Sequence, residues 1–210
     1  MMNVNNKQKA TSLITVKSLT IMAMLGAISV VLMLFEIPLW FAPPFYELDF
    51  SEVPILIGAF ALGPVAGMMI EMIKILLNLV ITGTPTAGVG ELANFLIGCS
   101  FVVPAAIIYH KNKTLKSAIS GLIIGTVCMV VLGSFMNAFV LLPAFAYFTK
   151  MPVDALVAAG TKVNPGINSM STFILYAVTP FNILKGVAVS LITLLIYKRI
   201  SRVIKSIAGL

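Results

Sequence analysis

Apolar residues do not alternate along this chain; they come in long unbroken runs. Such runs cover about 18–35, 51–62, 65–81, 91–109, 117–148 and 172–197. A membrane-spanning helix needs about 20 consecutive apolar residues. Four of the six runs meet that length or come close, 117–148 exceeds it, and 51–62 is short. The pattern predicts an all-α membrane protein: a bundle of six transmembrane helices in one integral membrane domain spanning 1–210. The breaks between the runs carry turn chemistry. They are Glu36-Ile37-Pro38, Gly63-Pro64, the glycine-rich 82–90, the basic 110–116 and a mixed loop over 149–170. A basic start followed by an apolar run also describes a signal peptide. The first run is long, however, and no small-residue cleavage site follows it, so it is read as the first transmembrane helix.

Composition agrees with the pattern. Hydrophobic residues make up 60% of the chain and charged residues 10%, against about 25% charge in a soluble domain. The net charge of +7 would suit a nucleic-acid partner only if it formed a basic face. Instead it collects at the ends of runs. With six crossings, Lys7, Lys9, Lys17, Lys111, Lys113, Lys116, Lys198, Arg199, Arg202 and Lys205 share one side of the membrane. Positive charge marks the cytoplasmic side, so both termini, including segment 1–17, are expected there, and no nucleic acid is expected as a partner. The loop 37–50, the loop 82–90 and the Glu91 end of the fourth helix then face outward. Cys99 and Cys128 lie in apolar runs and read as small core residues.

Ionisable and amide groups inside apolar runs are costly and mark sites. Lys185 lies deep in the last run, with Asn182 three residues before it on the same helical face. Pro180 removes a backbone hydrogen bond just ahead of them and is expected to kink the helix. Glu91 and Asn94 open the fourth run on one face, and Asn137 is the amide deep in the fifth. Lys185 could be neutralised by Glu91 or could hydrogen-bond a ligand directly. Glu71 and Lys74, at i,i+3, are expected to neutralise each other. Loop 37–50 holds three prolines and several aromatics, among them Trp40, Phe45 and Tyr46. It reads both as an interfacial belt and as an external gating lid over a flat ligand.

Several functions are excluded or disfavoured. Segment 82–90 lacks the Gly-Lys-Ser/Thr ending of a phosphate-binding loop, and no other ATP motif occurs. No nucleophile stands beside a histidine, so an enzyme is disfavoured. His110 has no second ligand nearby, so no metal site is expected. An ion-coupled secondary transporter is a further alternative, but the repeats common in that class are not visible. The interior set of amides, one acid and one base suits a neutral, flat or hydroxylated ligand held by aromatics and methionines.

Three segments carry a resemblance. Glu-Leu-Asp-Phe-Ser-Glu-Val-Pro (47–54), Gly-Glu-Leu-Ala-Asn-Phe (90–95) and Pro-Phe-Asn-Ile-Leu-Lys (180–185) resemble the substrate-binding S component of an energy-coupling factor (ECF) vitamin transporter, most of all its riboflavin-specific members. The resemblance implies a multi-pass protein of the prokaryotic cell membrane that takes riboflavin as transported ligand and needs no cofactor. It implies as partners a transmembrane T component and two cytoplasmic ATPases. It implies ligand contacts from Glu91, Asn94, Asn137, Asn182 and Lys185, and a T-component contact at Ala23 and Ala27. Thiamine or pantothenate would be the substrate of a differently specialised member.

Overall fold

A computed structural model describes residues 15–43 and 46–208, with side chains through residue 197. Lys7, Lys9 and Phe45, and the side chains of the last four basic residues, lie outside that set. Helix α1 spans Val16–Met33. A two-stranded ladder follows, β1 (Ile37–Pro38) antiparallel to β2 (Glu47–Leu48), with Ile37 opposite Leu48 and Pro38 opposite Glu47. Then come α2 (Glu52–Leu62), α3 (Pro64–Thr82) and α4 (Val89–Asn112). Helix α5 (Leu115–Met136) runs through a π-helical turn, Asn137–Leu141, into α6 (Leu142–Thr149). Helix α7 is Val153–Val163 and α8 is Met170–Phe173. A second π-helical turn, Ile174–Val178, leads into the last helix, α9 (Thr179–Ala208).

Among the described residues, five helical segments are long and apolar enough to cross a membrane: Val16–Met33, Pro64–Thr82, Val89–Asn112, Leu115–Thr149 and Met170–Tyr197. Helix α2 is different. All eleven of its residues are buried, and at 1.5 Å per residue it is only about 16 Å long. It is sheathed by α1, α3, α4 and α9, which all pack on it. The main core forms around it, from Ile55, Leu56, Phe60, Ile70, Phe101 and Val102 among others. A helix of half the usual length lets the preceding loop reach deep into the bundle, carrying Asp49 and Glu52 with it.

Small residues set the close approaches. A Cβ on Gly121 would lie 2.6 Å from the Ala105 carbonyl oxygen, and Gly125 meets the Phe101 carbonyl. The Gly-x-x-x-Gly step therefore faces α4 and allows α5 to lie flush against it. A second core, of Leu142, Leu156, Ile167, Phe173, Ala177 and Val178, holds α6, α7 and α9's approach together.

Four local expectations change. Segment 149–170 is not only loop: α7 forms there, opened by Pro152 and Asp154. The long fifth run, read as one continuous stretch, departs from α-helix at Asn137, and Pro143 sits in the first turn of α6. The last helix departs from α geometry over Ile174–Val178, so the disturbance ahead of Pro180 is a π-turn. Cys99 and Cys128 are only partly buried rather than core.

Candidate functional site

Both π-turns lie beside one cavity. It measures about 230 Å³ and is lined by Tyr46, Glu52, Gly90, Asn94, Ile97, Gly98, Met129, Asn137, Leu141, Asn182 and Lys185. A π-turn places one extra residue in a helical turn, which rotates the side chains that follow and often marks a functional site. Here Asn137 opens one such turn and Asn182 follows the other within a single helical turn.

The two buried amides are held by their own helices. Asn137 Nδ2 donates to the Gly133 carbonyl at 2.8 Å, and Asn182 Nδ2 donates to the Val178 carbonyl at 2.9 Å. The Tyr46 hydroxyl donates to Asn137 Oδ1 at 2.5 Å. Its ring lies against Phe181 and Phe173, at centroid distances of 5.3 and 6.1 Å. Burial pushes the Tyr46 phenol well above its ordinary value, so it stays a neutral donor at any physiological pH. The loop strand is thus fastened to the fifth helix through the wall of the cavity.

Lys185 Nζ donates to Asp49 Oδ2 at 2.8 Å. That corrects one expectation: Asp49, not Glu91, neutralises Lys185. Burial alone would raise the Asp49 carboxyl. The Lys185 ammonium, with Lys74 further off, outweighs it and holds the group below the usual carboxylate range. Asp49 Oδ1 also accepts the Ser51 backbone N–H at 2.8 Å, which fixes the entry to α2.

Beneath this pair lies a second buried ionic group. Lys74 Nζ sits 2.8 Å from Glu52 Oε1 and 2.7 Å from Glu71 Oε1. All three residues are 0–2% exposed. The Glu71–Lys74 pairing expected from spacing is present, and Glu52 joins it from α2. Gly98 makes room for it: a Cβ there would lie 2.5 Å from Glu71 Oε1. Sequence reasoning passed over Asp49 and Glu52. The available signal was two acids at i,i+3 leading into an apolar helix too short to span.

Among the sequence candidates, the fold brings Asn94, Asn137, Asn182, Lys185 and Tyr46 to the cavity wall. Glu91 stands one residue beyond the lining Gly90, and its Oε2 accepts the Thr84 hydroxyl at 2.9 Å. Thr84 Oγ1 in turn accepts the backbone N–H groups of Thr86 and Gly88, so Glu91 organises the 82–90 loop at the rim. Trp40 is 89% exposed, with its ring edge-on to Phe41. Ala23 and Ala27 are exposed on α1, while Gly26 between them is buried. His110 Nε2 lies 3.0 Å from the Ala59 carbonyl oxygen and ties α4 to α2.

A larger recess of about 450 Å³ lies between α5 and α9, lined by aliphatic residues such as Ile123, Val127, Ile183 and Leu191, with Thr126 and Ser190 its only polar side chains. It offers almost nothing to orient a polar ligand, so the smaller, amide-rich cavity is the candidate site.

Comparison with known proteins bears on this geometry. The family model for the substrate-specific component of ECF transporters matches residues 17–197. The chain is 38% identical over 192 residues to the riboflavin transporter RibU of Staphylococcus aureus (strain TCH60), covering 91% of this chain and 94% of that protein. It is 35% identical over 184 residues to the riboflavin transporter FmnP of Bacillus subtilis (strain 168), covering 87% and 90%. A solved S component of a bacterial ECF transporter superposes with a TM-score of 0.68 at 37% identity, over 90% of this chain and 98% of that one.

Proposed function

The chain belongs to the family of substrate-specific components of ECF transporters, and from that premise we propose that it binds riboflavin and serves as the S component for its uptake. The observation that carries the substrate is the convergence of Asn94, Asn137, Asn182 and Lys185 on one cavity, in a chain 38% identical to a named riboflavin transporter. Amides suit the hydrogen-bonding edge of the flavin and its ribityl hydroxyls. Tyr46, Ile97, Met129 and Leu141 offer apolar surface to the ring system. Glu91 holds the rim.

The cavity of about 230 Å³ is below the roughly 300–1,000 Å³ usual for small-molecule sites. A tricyclic ligand therefore needs the 37–50 loop to shift, and that loop is the gate. The Tyr46–Asn137 hydrogen bond is its latch, and Trp40, exposed at the far end of the loop, is the part that meets water or headgroups first.

In the proposed arrangement α2 counts as a sixth, short crossing, and both termini lie in the cytoplasm of a prokaryotic cell. The basic connector 110–116 shares that side, as the positive-inside tendency favours. The cavity then opens outward. The chain carries no ATP motif, so energy for uptake comes from a separate T component and two cytoplasmic ATPases. The exposed Ala23–Ala27 face of α1 is the surface assigned to the T component.

The direct test is titration of riboflavin into detergent-purified, ligand-free protein with flavin fluorescence as the readout. Saturable quenching is expected. A folded preparation that leaves flavin fluorescence unchanged would overturn the substrate assignment and turn attention to thiamine or pantothenate.

A further inference from the structure

Three acids and two bases make up the charged interior of the bundle: Asp49, Glu52 and Glu71 against Lys74 and Lys185. Lys185 is taken by Asp49 at 2.8 Å. Lys74 is then alone with two carboxylates, Glu52 on α2 and Glu71 on α3, and all three residues are 0–2% exposed. No neighbouring charge evens the balance. Asp49 and Lys185 face the group but offset each other, and the Cys99 thiol faces it from α4. The charged residues of α1 and α5, Lys17 and Lys116, are exposed at their helix starts. Fully ionised, the group would hold one uncompensated negative charge away from water, which burial strongly disfavours.

Hydrogen bonding points the same way. Lys74 Nζ reaches one oxygen of each acid, Glu52 Oε1 at 2.8 Å and Glu71 Oε1 at 2.7 Å. The other oxygen of each, Glu52 Oε2 and Glu71 Oε2, is buried with no hydrogen-bond donor among the described residues. The two side chains nevertheless stand within hydrogen-bonding reach of each other. Ionised carboxylates only accept, and two of them sharing a site repel until one takes up a proton. We infer that Glu52 and Glu71 together bind one proton at neutral pH, a buried proton site that leaves the group with Lys74 electrically neutral. The proton belongs to the pair, as it does for any two strongly interacting acids. It turns two repelling groups into a hydrogen-bonded tie between the first turn of α2 and the middle of α3. Gly98 of α4 leaves the space for that tie, since a Cβ there would lie 2.5 Å from Glu71 Oε1. The position of the tie gives it a use. Glu52 follows directly on Ser51, whose backbone N–H is held by Asp49. The proton therefore fastens the inner end of the 37–50 loop to the bundle, a fixed point from which the outer part of the loop can swing. Nothing in this inference depends on which ligand the cavity takes.

The test is infrared spectroscopy of the full-length protein, ligand-free in detergent at neutral pH. Glu36→Gln serves as the background, so that the carboxyl of the outer ladder adds no signal. A protonated carboxyl shows a carbonyl stretch above the amide bands that shifts in heavy water, and an ionised one does not. One such band is expected in the background protein. It should be lost on adding Glu71→Gln and equally on adding Glu52→Gln, because either change leaves one carboxylate for one ammonium. Absence of the band from the background protein would overturn the inference, since the group would then be fully ionised or balanced by a metal cation. A band that survives in both variants belongs elsewhere and overturns it too. Loss in one variant alone would put the proton on a single acid and overturn the shared site. Should either variant fail to fold, the background protein labelled with carbon-13 at its glutamate side-chain carboxyls carries the test. The band must then move with the label and exchange slowly into heavy water, as a buried group does. A band that ignores the label, or that exchanges at once, would sink the proposal.

Discussion

Two lysines sit inside this bundle, and their surroundings assign them different work. Lys74 is fully buried between two carboxylates, away from the amides. Removing one partner of a buried ionic group costs about 3–5 kcal/mol, because the charge left behind has no compensation. Lys74→Ala strands two carboxylates at once, so it is expected to lower stability by at least that much, seen as a large drop in thermal unfolding temperature in detergent. Lys185 lies on the cavity wall with a single carboxylate partner. Lys185→Ala and Asn182→Ala are expected to weaken riboflavin binding by about 1–3 kcal/mol each, since each leaves a polar partner unpaired. Unchanged affinity in both variants would remove them from the site. Asn182 and Lys185 were legible in the sequence because polar groups within an apolar run are conspicuous on their own. Asp49 and Glu52 were not. Asp49 meets Lys185 across 136 residues of chain, and no local spacing encodes such a pairing. Glu52 meets Lys74 across 22 residues, which local spacing does not encode either.

At the scale of elements, the long apolar runs became helices because nothing in their length interrupts the pattern, so α1, α3, α4, α5 and α9 could be read directly. The departures came where local chemistry and packing compete. Asn137 gives its amide to its own helix exactly where the π-turn begins, and Ile174–Val178 widens just ahead of the residue that lacks an N–H. Hydropathy carries no trace of a π-turn. The small β1–β2 ladder was hidden for another reason: two residues per strand are too few to alternate visibly. Its acids give it a testable property. A hydrogen bond shared with Glu47, then partial burial and the Glu47 charge, push the Glu36 carboxyl up to about 7. A carboxyl raised in the folded form favours that form while protonated. Its contribution is therefore fully present below about 4.5, the ordinary value, and lost as pH rises through about 7. The closed ladder should loosen across that window, and riboflavin should associate faster at pH 8 than at pH 5.5. Stopped-flow quenching would measure this, and Glu36→Gln should flatten the profile. Asp49, held below the usual range by Lys185, keeps its ion pair throughout the same window and cannot supply the effect.

At the scale of the whole molecule, the candidate cavity and the α1 surface proposed for the T component lie on different parts of the bundle. The cavity is built from α2, α4, α5 and α9 with the loop strand, whereas Ala23 and Ala27 lie on the outward side of α1. Gly26 between them faces inward, where a Cβ would lie 2.5 Å from Ile73. One helix thus presents small residues in two directions: Gly26 lets α1 settle on α3, and the exposed alanines on the adjoining strip keep it low for close approach by another helix. Flatness matters in a membrane because lipid supplies no hydrophobic drive for helix pairing, and association depends on packing. A bulky side chain on that outer face should therefore separate binding from uptake. Ala23→Trp and Ala27→Trp are expected to leave riboflavin quenching and thermal stability unchanged in the isolated protein. In vesicles containing the T component and its ATPases, both should depress ATP-dependent riboflavin uptake at least tenfold. Unimpaired uptake in both variants would move the partner contact elsewhere on the bundle. Loss of binding in the isolated protein would show that α1 supports the cavity rather than docking.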